Sequence, residues 1–211
     1  MHDLLEELKP VAEKYEGAKQ TDCYALKYVR GNHMTIYIAL LRGINVGGHK
    51  VIKMADLKKM FESIGVKQVK TYIQSGNVVF ESEEDISFLN ERIESEMKNV
   101  FDFDVPVMLR TNDELINIIK KCPYETNSLL EVESVHVAFL ANPLSEEDSK
   151  QLLMYKSEIE EFQIEGRVVY LLFKKSIRNS KLMNQFQRFH TPATVRNWCT
   201  VNKLKAIAEE M

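Results

Sequence analysis

The sequence predicts an α+β fold made of two similar halves. The first observation is that short apolar runs of strand length alternate with longer segments of helical periodicity from residue 34 onward. The second is that three segments of the first half recur in the same order in the second half, which indicates an internal duplication. Each half reads strand, helix, strand, strand, helix, strand, helix, and this contains the βαββαβ order of the ferredoxin-like unit. We therefore expect two ferredoxin-like units that form an α/β sandwich.

The repeated segments have steadily decreasing offsets, as expected if the second copy has shorter connections. Each match alone is weak, but three matches in one order are difficult to attribute to chance. The matched pairs are 36–41 with 135–140 at an offset of 99, 76–80 with 166–170 at an offset of 90, and 106–111 with 192–197 at an offset of 86.

The duplication predicts a first unit over residues 34–121, a linker over 122–133 and a second unit over 134–211. An N-terminal extension, residues 1–33, precedes both units.

Within this extension, residues 3–16 have the apolar spacing of an amphipathic helix, which Pro10 should kink or shorten. The pair His33-Met34 is typical of a cloning junction. The extension is therefore either an appended segment or a native helix that packs against the domain or a partner.

The first unit should begin with a central strand over 36–42, because this apolar run has strand length. Ser75-Gly76-Asn77 predicts a tight turn between two antiparallel strands. Asn112 or Asp113 is expected to cap the last helix. The other elements are a helix over 54–64 with Leu57, Met60, Phe61 and Ile64 on one face, strands over 68–74 and 77–82, a helix over 86–100 and a strand over 104–110.

The second unit should repeat this order. Ser145 is expected to cap its first helix and Thr200 its last, and Gly166 should form its hairpin. Trp198 should pack in the core or between the units. The other predicted elements are a strand over 135–141, a helix near 180–189, a strand over 192–196 and a helix over 200–210.

The composition, with 45% apolar and 28% charged residues, is that of a soluble globular protein. The net charge of -3 by itself suggests neither a nucleic-acid nor a membrane partner. No apolar run is long enough to span a membrane, and the N-terminus does not resemble a secretory signal. The three cysteines, Cys23, Cys122 and Cys199, are expected to be reduced thiols in the cytoplasm. Neither the cysteines nor the histidines have metal-ligand spacing, so we expect no metal and no cofactor.

Polar residues should collect at one edge of the first sheet. Because neighbouring strands alternate in direction, Arg42–Lys50 should lie near Gln74–Asn77. The backbone amides of a glycine loop can approach an anion, and arginine with amide side chains suits a phosphate or carboxylate. Gly43 and Gly48 have the spacing of the phosphate-loop pair, but the lysine and hydroxyl that should follow are not in place, so the nucleotide-hydrolase motif is absent.

This edge predicts a binding module for an anionic, phosphate-containing small molecule. The alternative is that the glycines only make a sharp exit from a strand, while Asn and Ser complete turns. An enzyme acting on a phosphorylated or nucleotide substrate is a further alternative, although no evident general base is present. Arg196 should pair with a carboxylate ligand or with an internal Asp or Glu. The candidate ligand-binding residues are Arg42, Gly43, Asn45, Gly47, Gly48, Gln74, Ser75, Asn77, Arg196 and Asn197.

Three blocks together carry a resemblance to a known family. They are Leu41–Gly48, Thr71–Phe80 and Thr194–Thr200. In these blocks the chain resembles a mostly bacterial family known as domain of unknown function 1697, over about Met34 to Met211. The resemblance implies a small cytoplasmic α/β sandwich built on ferredoxin-like units, with no established activity. Residues 1–33 fall outside the pattern.

The segment 166–208 contains many lysines and arginines and no Asp or Glu. Such asymmetry can form a basic face that attracts phosphate backbones, so nucleic-acid binding is an alternative function. The opposing interpretation is that these residues point in several directions and are balanced by acidic helices. The aromatic residues of the segment, Tyr170, Phe173, Phe186 and Phe189, are candidates for the core.

Overall fold

The computed structural model describes residues 34–177, 180–186 and 188–211. The helix predicted over residues 3–16 lies outside this part of the chain. Over the described residues, the elements in chain order are β1 Thr35–Leu41, α1 Met54–Ser63, β2 Lys67–Tyr72, β3 Asn77–Ser82, α2 Ile86–Phe101, β4 Val107–Thr111, α3 Asn112–Lys120, β5 Ser134–Leu140, α4 Glu146–Leu153, β6 Glu160–Glu165, β7 Val168–Phe173, α5 Lys181–Gln185, β8 Ala193–Asn197 and α6 Trp198–Glu209.

The strands form two four-stranded sheets with the same topology. Their orders are β2-β3-β1-β4 and β6-β7-β5-β8, and every neighbouring pair is antiparallel. Two βαββαβ units with this strand order are ferredoxin-like, so the predicted fold class is confirmed. The central strand β1 is an unbroken apolar run because both of its faces are covered.

Apolar side chains form three clusters that define the layers. One cluster lies between the first sheet and its helices α1 and α2, and another between the second sheet and α4 and α5. The middle cluster combines the opposite faces of both sheets with α3 and α6, and Trp198 packs against it. The third helix of each unit therefore helps to join the two units. All four aromatic residues predicted for the core in the basic segment are buried.

The strand pairing corrects one of the three repeat matches. Ala39 pairs with Val78 in the first sheet, and Ala138 pairs with Val169 in the second. The offset between these hairpin strands is therefore 91, from 169 minus 78, and not 90. Val78 and Val169 both face the helices of their own units, whereas Val168 faces the middle cluster. A shift by one residue exchanges the two faces of a strand. The shift was not visible in the sequence, because aligning the shared Gly-Xaa-Val-Val pattern of the two copies gives the wrong register.

Two predicted helix caps are wrong and one is confirmed. Thr111, not Asn112 or Asp113, caps α3 in a reciprocal capping box with Glu114, since each side chain accepts a hydrogen bond from the other's backbone amide. Asn197, not Thr200, caps α6, and its Oδ1 accepts a hydrogen bond of 2.7 Å from the Thr200 amide.

Ser145 caps α4 as predicted. The helix predicted near 180–189 is shorter and spans Lys181–Gln185. Within the described ranges, no helix is both long and apolar enough to cross a membrane.

Candidate functional site

The end of β1 lies beside the β2–β3 hairpin, as the alternating strand directions predict. The amide of Leu41 donates to the carbonyl of Gly76 at 2.8 Å, and the amide of Arg42 donates to the carbonyl of Pro106 at 3.0 Å. Gly76 is buried there with φ +74, and an added Cβ would lie 2.8 Å from side-chain atoms of Leu41 and Ile44. Because Gly76 has no side chain, the hairpin can lie close against the end of β1.

Asn45 fastens the loop that follows β1 to the hairpin. Its Nδ2 donates to the carbonyls of Ile52 at 3.0 Å and Gln74 at 2.9 Å, and its Oδ1 accepts from the amide of Ile52 at 2.8 Å. The residue has φ +56, a conformation that Asn tolerates better than most residues. Both functional atoms of this side chain are therefore used to hold the loop.

Ser75 and Asn77 are also committed to the protein itself. Asn77 is fully buried, and its Nδ2 donates to Ser75 Oγ at 2.9 Å and to the carbonyl of Tyr72 at 3.1 Å. These bonds match the alternative in which Asn and Ser complete a turn. The Oδ1 of Asn77 accepts a hydrogen bond from Nε of Arg196.

Arg196 crosses from β8 of the second unit to this edge of the first. Its Nη2 donates to the carbonyls of Leu41 at 2.9 Å and Ser75 at 2.8 Å, and its Nη1 donates to Thr194 Oγ1 at 2.7 Å. The expectation of a carboxylate partner is therefore wrong: carbonyls, a hydroxyl and an amide oxygen satisfy the guanidinium. Burial lowers the pKa of Arg196 to about 10, so the side chain stays charged at neutral pH.

Arg110 makes the reciprocal contact from the first unit to the second. Its Nη2 donates to the carbonyls of Leu140 at 2.8 Å and Arg167 at 2.9 Å, and only 2% of the residue is exposed. Leu140 ends β5 as Leu41 ends β1, so the two contacts are related by the duplication. We call Arg110 and Arg196 the interunit arginines. Their role was not predicted from the sequence.

Arg42 differs from these arginines because its guanidinium has no hydrogen bond or ion pair with the described residues. The side chain is partly buried at the end of β1. Beside it, Gly43, Gly47 and Gly48 are exposed and have positive φ angles of 71°, 59° and 76°. The amides of Gly47 and Gly48 have no acceptor in the described part of the chain. This edge therefore carries several donors that have no acceptor among the described residues.

Two other predicted ligand-binding residues, Gln74 and Asn197, are exposed but use their polar groups differently. The Gln74 side chain is exposed, while its carbonyl accepts the bond from Asn45. Asn197 is exposed, but its oxygen caps α6. Lys50, within the loop, extends its Nζ to the carbonyl of Asp104 and lies 5.6 Å from the ring centroid of Phe103.

A comparison of the two units shows that the loop edge is extended only in the first. The connection from β1 to α1 has twelve residues, 42–53, whereas the equivalent connection from β5 to α4 has five, 141–145. The β2–β3 turn has four residues, 73–76, and the β6–β7 turn has two, 166–167. The second unit folds without these extensions. Extra loop residues on a rigid scaffold are a common location for binding sites.

Several basic residues of segment 166–208 are buried or paired with acids in the described part of the chain. Arg196 is buried, and Arg167 pairs with Glu114 at 2.7 Å. Lys174 pairs with Glu161. Lys205 pairs with Glu209 at 2.6 Å. These contacts agree with the interpretation in which the basic residues point in several directions and are balanced by acids.

Within the described ranges, no three His, Cys, Asp or Glu side chains are grouped so that they could hold a metal ion.

Fold and site together define an α+β protein made of two ferredoxin-like units, with an extended polar loop edge on the first. The chain belongs to the family described as Protein of unknown function (DUF1697), whose model matches residues 34–170. It is similar in structure to the conserved bacterial protein SP0830 from Streptococcus pneumoniae, with a TM-score of 0.64 and 25% identity over 83% of this chain and 99% of that one. Among curated proteins, none matches the chain.

Proposed function

We propose that the protein binds a small anion, a phosphate or carboxylate group, at the loop edge formed by residues 42–53 and 73–76. The observation that carries this proposal is that Arg42 is a partly buried residue whose guanidinium has no hydrogen bond or ion pair with the described residues. An arginine at the end of a rigid central strand, with its fork of donors uncommitted to those residues, suits a phosphate or carboxylate ligand.

The charge of the loop supports an anion as the ligand. Residues 42–53 contain Arg42, Lys50 and Lys53 and no Asp or Glu. The exposed amides of Gly47 and Gly48 add uncharged donors. Successive backbone amides in a turn can form a concave donor site for anions.

The internal hydrogen bonds support a smaller set of ligand-contacting residues for this proposal. Asn45, Ser75, Asn77 and Arg196 act as supports, because their polar atoms are used inside the protein. Asn197 is left out because its oxygen caps a helix. The proposed contact residues are Arg42, Gly43, Gly47, Gly48 and Gln74.

Isothermal titration of inorganic phosphate into the full chain, in a low-salt buffer without phosphate, tests the proposal. Arg42→Ala should weaken binding by at least about tenfold, because a hydrogen bond to a charged group contributes about 1.5–3 kcal/mol. Arg42→Lys should be intermediate, since lysine keeps the charge but loses the planar fork of donors.

Arg188→Ala is the matched control, because Arg188 is an exposed arginine of the second unit and its removal changes the net charge equally. Equal affinities of wild type, Arg42→Ala and Arg188→Ala would place the anion elsewhere. Wild-type protein that binds no phosphate, sulfate or acetate, nor any organic phosphate or carboxylate, at millimolar concentration would refute the proposal as a whole.

A further inference from the structure

The loop edge also carries three exposed apolar side chains. Val46, Val51 and Ile73 are 65%, 69% and 48% exposed. Isolated apolar residues are common on protein surfaces, whereas an apolar group that surrounds polar donors is typical of a ligand site. We call Val46, Val51 and Ile73 the apolar rim.

The hydrogen bonds of Asn45 tie together the backbone segments that carry the three rim residues. Val46 follows Asn45 in the chain. The Asn45 side chain binds the backbone of Ile52, next to Val51, and of Gln74, next to Ile73. Each rim residue is therefore the chain neighbour of a residue that takes part in these hydrogen bonds: Asn45, Ile52 or Gln74.

Ile73 has a backbone conformation that is unfavourable for its side chain. Its φ is +47, in the left-handed region, which β-branched residues adopt only at an energetic cost. Because nearly half of the side chain is exposed, packing offsets little of this cost. Asn or Gly would suit the turn better. Strain of this kind is found preferentially at binding sites.

We infer, on the basis of the proposed anion site, that its ligand is an amphiphilic anion. The phosphate or carboxylate group contacts Arg42 and the glycine amides, and an aliphatic or aromatic portion of a few carbons covers the apolar rim. The absence of acidic residues from 42–53 complements the anionic group, and the three rim side chains complement the apolar portion.

Titrations with ligands of increasing chain length test this inference. The first series is inorganic phosphate, methyl, butyl and hexyl phosphate, and the second is acetate, butyrate and hexanoate. Affinity should rise along at least one series by up to about fourfold for each methylene that reaches the rim, the ratio that corresponds to about 0.8 kcal/mol.

The titrations test the anion site and the amphiphilic ligand separately. Binding of inorganic phosphate or acetate without any gain along either series overturns the amphiphilic ligand but leaves the anion site intact. A complete lack of binding by every probe overturns both.

Ile73→Asn separates the rim from the stability of the fold. Asn adopts the left-handed backbone more readily, so the unfolding temperature should equal or exceed that of wild type. The gain in affinity with increasing chain length of the ligand should fall. Val132→Asn, at a 64% exposed position in the linker, should keep the full gain. If Ile73→Asn also keeps it, the apolar portion does not contact the rim.

Discussion

Replacement of Arg196 by methionine would test how the two units are held together. Methionine retains much of the apolar stem but removes all the hydrogen bonds of the guanidinium. The carbonyls of Leu41 and Ser75 and the Oδ1 of Asn77 then lose their bonds to this side chain. Because the fold brings strand β8 against the first unit, water has restricted access to these acceptors.

The expected loss can be estimated from these acceptors. A buried polar atom left without a partner costs about 1–3 kcal/mol. Asn77 is fully buried and Arg196 is 7% exposed, so at least two acceptors should carry this cost. We expect the free energy of unfolding to fall by about 3–5 kcal/mol, a large fraction of the roughly 5–15 kcal/mol of a typical domain. Arg110→Met should have an effect of similar size, since Arg110 makes the reciprocal contact.

Urea unfolding followed by circular dichroism measures the effect, and a constant m-value shows that the transition is comparable between variants. Arg188→Met serves as the exposed control, with an expected change within about 0.5 kcal/mol. A double-mutant cycle with Asn77→Ala isolates one contact. The double variant should lose less than the sum of the single variants by at least about 1 kcal/mol.

Two results would refute the reasoning. One is an Arg196→Met variant as stable as Arg188→Met, which would show that water satisfies the acceptors. The other is strict additivity with Asn77→Ala, which would show that the contact between the two side chains contributes nothing.

Two further predictions concern local features. Gly76→Ala should lower the free energy of unfolding by about 2–4 kcal/mol because its Cβ would overlap packed side chains, as overpacking costs about 1–3 kcal/mol in addition to the left-handed strain. Gly166→Ala, in open space, should cost only about 1–2 kcal/mol, and equal losses in urea unfolding would contradict the packing argument. Burial lowers the pKa of His136 from 6.5 to about 4, so the unfolded chain binds the proton first as pH falls. The free energy of unfolding should therefore decrease between pH 6.5 and 4 by on the order of 1–3 kcal/mol. His136→Gln should reduce this slope, and a slope identical to wild type would exclude His136 as its source.

The positions of strands and helices were largely predictable, because they depend on local periodicity. The run before Arg42 reads as a buried strand whatever it packs against, and α1 shows its buried face in the spacing of Leu57, Met60 and Phe61. The helix caps were less predictable. Thr111, Asn112 and Asp113 can all cap a helix, and the choice depends on the residue at which β4 ends.

The location of the candidate site was predictable from the sequence. Which of its residues hold the loop in place and which are free to contact a ligand was not. The ferredoxin-like topology alone places the exit of β1 beside the β2–β3 hairpin. Asn45, Asn77 and Arg42 are all polar residues of that edge, and nothing in their local sequence separates supports from free groups. The separation depends on which carbonyls the fold brings within hydrogen-bond distance.

The interunit arginines show what the sequence determines and what depends on the tertiary structure. The sequence by itself determined that an arginine occurs at the same position of both copies, Arg110 and Arg196, and this repetition is a signal for a shared role. Their acceptors are mostly backbone carbonyls, one of them 155 residues from Arg196 in the chain. Every residue has a carbonyl, so no side-chain pattern identifies the acceptor. Only the packing of the two sheets decided that Arg196 is satisfied internally, while Arg42 has no partner among the described residues.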